Sequence, residues 1–290
     1  MKLAVSTYSL WRWRTENGKT LEETLAWVGD AGVGGVEFAP VGDEGAKVVR
    51  DAGKLRAHAE KMGLQIVSYC VGAELLCPVE QQRKVVERLK REVDVAVELG
   101  APSMRHDVTR GWGENAAGVK GAKTFGNALK VVTPAIREVA DYGAGKGVKT
   151  SLENHGFYMQ AAERVEKLLG AVKNPNYGLT IDLGNFLCVN DDPVAAVKRL
   201  GKWVIMAHAK DFHVRPKKTM PGSGWFATPT DVALRGAICG HGVIDVPAQL
   251  KLLRRAGYDR WLSLEFEGME EPAKGVTLGL EYLRREMAKL

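Results

Sequence analysis

The sequence predicts a (β/α)8 barrel, the TIM-barrel fold, as one domain over residues 1–290. Three observations predict it. Eight short β-rich runs alternate with longer amphipathic segments along the whole chain, the pattern of parallel strands joined by right-handed helical crossovers. No break in composition separates these units, and 290 residues suit a fold that typically takes about 250. The competing doubly wound sheet usually carries G-x-G-x-x-G after its first strand. Here that position reads Tyr8-Ser9-Leu10-Trp11-Arg12-Trp13.

The first strand is expected over 2–10. A helix follows over 20–31, with Thr20 as N-cap and Glu23 three residues on, the reciprocal capping pattern. Gly32 to Gly35 end it, and 36–39 form the second strand. Helix 46–62, stopped by Gly63, leads to strand 64–71. Helix 79–99, stopped by Gly100, leads to strand 103–108. Residues 109–123 read as a long loop, followed by helix 126–146 and strand 149–154. Helix 161–169, strand 178–183, helix 193–200 and strand 203–210 come next. A second long loop covers about 211–245, before helix 247–256, strand 261–266 and a closing helix 272–288. Most of the 33 glycines punctuate these elements singly.

Composition excludes several classes. Hydrophobic residues at 45% and charged residues at 26% argue against intrinsic disorder. No run approaches the ~20 apolar residues of a membrane span. Cys70, Cys77, Cys188 and Cys239 form no C-x-x-C pair and read as reduced thiols. The N-terminus reads as a strand rather than a leader, so a cytoplasmic protein is expected. The net charge of +6 resides between Lys198 and Lys218, where seven Lys/Arg face one acid. That clustering disfavours a protein-wide nucleic-acid surface. It suggests that residues 210–218 overhang the site and favour an oxyanion or an acidic substituent on the substrate.

In a barrel, chemistry sits at the C-terminal ends of the strands. Four consecutive strands end in groups able to bind a cation: Glu153, Asp182, His208 and Glu265. A carboxylate where a strand leaves the core is costly unless paired or metal-bound. Three carboxylates and one imidazole suit one divalent ion, Mn2+ or Mg2+ first, with Co2+, Fe2+ and Zn2+ also compatible. Glu265 and Glu267 compete for the last position, and Glu265, deeper in the strand, is preferred.

The segments Ser151-Leu152-Glu153-Asn154-His155-Gly156, Ile181-Asp182-Leu183-Gly184-Asn185, His208-Ala209-Lys210-Asp211, Gly240-His241-Gly242-Val243-Ile244-Asp245 and Leu262-Ser263-Leu264-Glu265 carry a likeness. The chain resembles the xylose isomerase-like barrel superfamily, which holds sugar isomerases, ketose 3-epimerases, inosose dehydratases and endonuclease IV. The resemblance implies that Glu153, Asp182, His208 and Glu265 are the metal ligands. It also implies that Glu153 and Glu265 exchange the proton beside a polarised carbonyl. Returning that proton gives epimerisation or isomerisation, and expelling a hydroxyl gives dehydration.

Asn185 departs from the ketose 3-epimerase pattern, where a histidine stands three residues after the aspartate. His106, His155, Asn185, Lys210, Arg215 and His241 are expected to contact substrate, with Trp11 and Trp13 walling the pocket. The long loops, roughly 15 and 34 residues against about 2–6 ordinarily, read as lids carrying Trp112 and Trp225. The expected partner is a sugar or keto-sugar, with no nucleic acid and no membrane, and a homo-oligomer is compatible. Endonuclease IV chemistry needs more histidines than the six present. A dehydratase on a keto-sugar or inosose and a non-catalytic sugar-binding protein are the other readings.

Overall fold

The computed structural model describes all 290 residues. Eight parallel strands close into a barrel in which each lies beside its neighbours in chain order. In chain order, β1 (Lys2–Ser6), α1 (Trp11–Asn17), α2 (Leu21–Asp30), β2 (Gly35–Phe38), α3 (Glu44–Lys61), β3 (Gln65–Val71), α4 (Val79–Leu99) and β4 (Ser103–His106) make the first half. The second half holds α5 (Phe125–Gly145), β5 (Lys149–Glu153), α6 (Ala162–Val172), β6 (Tyr177–Asp182), α7 (Pro193–Leu200) and β7 (Val204–Ala209). After a three-strand excursion come α8 (Val246–Arg255), β11 (Trp261–Leu264) and α9 (Pro272–Met287). The fold is the expected (β/α)8 barrel. No helix is long and apolar enough to cross a membrane.

The capping pattern read at Thr20 is present: Glu23 N donates to Thr20 Oγ1 at 3.1 Å, and Thr20 N donates to Glu23 Oε2 at 2.9 Å. Gly100 stops α4 in the left-handed region (φ 72°), a conformation only glycine adopts freely.

Two expectations are corrected. The first strand stops at Ser6, because the chain turns into a 3-10 segment, Thr7–Leu10, and then α1. The second long loop is largely regular. β8 (Asp211–Pro216), β9 (Phe226–Ala227) and β10 (Val232–Ala237) form an antiparallel sheet in the order β8-β10-β9. The loop after β4 contains only a short 3-10 turn, Glu114–Ala116.

Strand alternation decides what faces the barrel axis. Leu152, Ile181, Ala207 and Leu264 point outward into the large core packed under the helices. Their neighbours point inward. At the N-terminal end Ala4, Val67 and Met206 pack against Trp261 and plug the barrel. Gly35 is required there, since a Cβ would lie 2.7 Å from the Trp261 ring. A middle layer is small and polar, with the Ser151 and Thr180 hydroxyls 2.8 Å apart. Above it, at the C-terminal end, the same inward columns carry Glu153, Asp182, His208 and Glu265.

Candidate metal centre

One ligand atom from each of Glu153, Asp182, His208 and Glu265 lies within 4.8 Å of all the others, and all four residues are buried. His208 Nδ1 stands 3.5 Å from Glu153 Oε1 and 3.4 Å from Glu265 Oε1. Glu265 continues the β11 ladder, its N donating to Ala209 O at 2.9 Å, which keeps it at barrel depth. Glu267 lies higher and more exposed, 3.4 Å from Lys210 Nζ.

Each member has a separate anchor. Asp182 Oδ1 accepts from Gly184 N and Asn185 N, both at 2.8 Å, so Oδ2 is the oxygen left over. The backbone of Asp182 is clamped by Asn154, which donates to Asp182 O at 2.9 Å and accepts from Asp182 N at 2.8 Å. Asn185 donates to Glu153 Oε1 at 3.2 Å. Arg105 pairs with Glu153 Oε2. Lys210 Nζ sits 2.9 Å from Glu265 Oε2 and 3.3 Å from Asp182 Oδ2.

Burial raises a carboxylate and lowers a cation, and partners can reverse both. Burial pushes Glu153 up, but the Arg105 guanidinium and His208 hold it well below the usual carboxylate range. Burial pushes Asp182 up to about 6, against the pull of Lys210 and with the Glu153 and Glu265 charges adding to the rise. Burial lowers Lys210 and His208, yet facing carboxylates leave both well above their ordinary values.

The residues fit a divalent cation. His208 Nδ1 is fully buried and makes no hydrogen bond. With that imidazole neutral, as a ligand must be, Glu37, Glu153, Asp182 and Glu265 are four buried carboxylates facing two cations, Arg105 and Lys210. Negative charge remains in excess there, which a divalent ion would offset.

Two hollows open at this end of the barrel, and only the first is lined by a member of the quartet, Glu153. One, about 570 Å³, is lined by Glu153, His155, Asp107, Glu74 and Arg110. The other, about 330 Å³, is lined by Tyr8, Asn185, Lys210, Phe157, Phe226 and Glu267. A further hollow of about 490 Å³ lies at the opposite end of the barrel, beside Trp261, and contains none of the quartet.

Lys210 and Asn185 therefore touch the quartet, and His155 stands at the mouth, 3.3 Å from Asp107. The other expected substrate contacts lie elsewhere. His106 is fully buried, with its ring 5.8 Å from that of Tyr177; Arg105, on the alternate face of β4, is the residue that enters the site. Arg215 is exposed on β8, 5.8 Å over the Trp225 ring. His241 is exposed, in a loop tied to Asp211 through Gly240 N and Gly242 N. Trp11 and Trp13 line neither hollow, and Trp13 packs against Trp27 with ring centroids 6.4 Å apart. Lys217 and Lys218 are exposed, so of the basic stretch only Lys210 reaches the quartet.

Sequence reasoning missed Tyr8, Glu37, Cys70 and Arg105. Glu37 was findable by the rule that found the others, being a carboxylate inside the apolar strand Val36-Glu37-Phe38.

Comparison with known proteins agrees with this architecture. A family model described as "Xylose isomerase-like TIM barrel" matches residues 25–286. The chain is 26% identical over 285 residues to the rhizopine catabolism protein MocC of Rhizobium meliloti, covering 92% of this chain and 82% of that one. It is 24% identical over 157 residues to an inosose dehydratase of Clostridium botulinum, covering 52% of each. Among solved structures, the IOLI protein with a bound zinc atom superposes with a TM-score of 0.77 at 17% identity, over 100% of this chain and 99% of that one.

Proposed function

Because the chain belongs to the xylose isomerase-like TIM barrel family, we propose that it is a divalent-metal-dependent isomerase or epimerase of a sugar or keto-sugar. The observation that carries this reading is the buried quartet Glu153, Asp182, His208 and Glu265. When bound there, the metal supplies a Lewis acid that polarises a carbonyl and an adjacent hydroxyl and makes the neighbouring C–H acidic.

The chain's own residues do the rest. Glu153 and Glu265 turn their Oε1 atoms toward the centre of the quartet, while Arg105 and Lys210 hold the opposite oxygens. One carboxylate takes the proton from carbon, leaving an enediolate. The other returns a proton to the opposite face, which inverts the centre, or to the next carbon, which moves the carbonyl once the hydroxyl proton passes to the neighbouring oxygen. Lys210, buried and cationic, offsets the negative charge that develops on substrate oxygen. Asn185 orients Glu153, and His155 is placed to bind a substrate hydroxyl at the mouth.

A second reading, dehydration of a keto-sugar or inosose, is favoured by the partial match to an inosose dehydratase. It begins with the same proton removal and ends with loss of a hydroxyl.

The test is a screen of keto-sugars and inososes in deuterated buffer. Deuterium at the carbon beside the carbonyl, with product mass otherwise unchanged, supports isomerisation or epimerisation. Loss of a water mass selects dehydration. Glu153→Gln and Glu265→Gln should each lower turnover by about 10²–10⁴-fold. Full activity in both variants, or in chelator-stripped protein, would sink the proposal.

A further inference from the structure

On the metal-centre reading above, a residue from a non-adjacent wall of the barrel joins the site. Glu37 stands in the middle of β2, flanked by Val36 and Phe38, and is 0% exposed. A carboxylate there is unfavourable unless something compensates it. The compensation is specific. Oε1 is hydrogen-bonded to His208 Nε2 at 3.0 Å and accepts from Cys70 Sγ at 3.3 Å, while Oε2 lies 3.0 Å from the same nitrogen without a hydrogen bond.

A neutral imidazole carries one proton on one of two nitrogens. The partner of one nitrogen decides whether the other has a free lone pair. A carboxylate at Nε2 keeps the proton there and frees Nδ1. Nδ1 is the nitrogen that faces Glu153 and Glu265 and makes no hydrogen bond. Two contacts on Glu37 also fix the plane of the ring, since Nε2 cannot leave the carboxylate without breaking the only strong partner that carboxylate has.

We propose that Glu37 is a positioning residue of the metal centre. It holds His208 in the Nε2–H tautomer with Nδ1 directed into the quartet, and thereby sets the affinity for the divalent ion. Cys70 donates its thiol proton to Glu37 and steadies it. Glu37 itself does not touch substrate or metal.

The experiment uses the full chain, stripped of metal and titrated with Zn2+ alone by calorimetry, with ¹⁵N-histidine NMR of the zinc-loaded protein. Glu37→Leu should weaken zinc binding by about 10–100-fold. Glu37→Gln, whose amide oxygen still accepts from Nε2–H, should recover most of that loss. Wild-type spectra should show His208 protonated at Nε2 with zinc on Nδ1, and Glu37→Leu should lose that single tautomer. Thermal melts of the metal-free variants separate affinity from misfolding. If Glu37→Leu does not fold, Glu37→Gln and the wild-type spectrum still decide. Wild-type zinc affinity in a folded Glu37→Leu variant, or zinc on Nε2, would overturn the role of Glu37 while leaving the metal centre intact. Failure of the wild-type chain to take up zinc, Mn2+ or Mg2+ would instead remove the metal centre itself.

Discussion

Lys210 Nζ lies 2.9 Å from Glu265 Oε2, inside a site where both side chains are almost wholly shielded from water. The ammonium also reaches Asp182 at 3.3 Å and Glu267 at 3.4 Å, so one cation serves three carboxylates. On the proposed metal-centre reading, an ion and Lys210 would act on the same negative charge, and the loss of one would increase the demand for the other.

That relationship predicts the behaviour of Lys210→Met. Without metal the variant should lose about 3 kcal/mol, because removing one partner of a buried pair leaves the other uncompensated. Saturating Zn2+ should return more stability to the variant than to the wild type. Urea unfolding with and without zinc measures both. Equal zinc stabilisation in the two proteins would contradict the shared-charge account.

His106 predicts an acid effect. Burial depresses its folded pKa to about 4, whereas an unfolded histidine titrates near 6.5. Between those values the unfolded chain binds the extra proton, so stability is retained above about 6.5 and falls as pH drops toward 4. The loss should be on the order of 3 kcal/mol. In His106→Leu that part of the slope should vanish, as read from denaturant midpoints between pH 4 and 7. A slope identical to wild type would mean that His106 is not buried neutral.

Asp211 predicts a local effect. Its Oδ1 accepts from Phe212 N and Ile244 N, and its Oδ2 from Gly240 N and Gly242 N, at 2.8–3.0 Å. Asp211→Asn turns an NH2 toward N–H donors and should cost about 1–3 kcal/mol. Hydrogen exchange should rise over residues 240–244 and stay unchanged in the barrel strands. Gly242→Ala should act similarly, since its Cβ would meet Asp211 Oδ1 at 2.1 Å.

Tyr8 and Trp13 should separate binding from packing. Tyr8 lines the hollow that Lys210 also lines, so Tyr8→Phe should raise KM by roughly tenfold, the scale of one lost hydrogen bond. Trp13 packs on Trp27, so Trp13→Ala should lower the melting temperature with KM within about twofold of wild type. Steady-state kinetics beside thermal melts distinguish the two, and the reverse pattern would return Trp13 to the pocket.

The barrel and the quartet were legible because both depend on period-two alternation. Glu153, Asp182, His208 and Glu265 each close an apolar run at the same phase, and a closed sheet must bring such positions together. Residues 105 and 106 were harder. In a four-residue strand with polar side chains at consecutive positions, nothing local says which one faces inward, and Arg105 does. Glu37 carried the right local signal, but its partner His208 lies 171 positions away, a pairing only the closed topology creates. The sheet of β8 and β10 was hidden because its strands contain Arg215, Pro216 and Arg235, and the chain that joins them is broken by Pro221, Gly222, Gly224 and Pro229. The basic run from 198 to 218 is close in sequence but not in space. Lys210 turns into the barrel while Arg215, Lys217 and Lys218 are exposed residues of the excursion.

The two ends of that excursion, Asp211 and Ala237, are register partners in one antiparallel ladder. The excursion thus closes on itself beside the barrel, tied to the rest of the chain by a bridge from Gly236 to Gly268 and by Val243 N donating to Phe212 O. Such a segment behaves as a cassette. Its tip, including Phe226 over the hollow, can be lengthened, shortened or exchanged without asking any barrel strand to change register. On the proposed function, substrate preference would diverge there while the quartet stays unchanged.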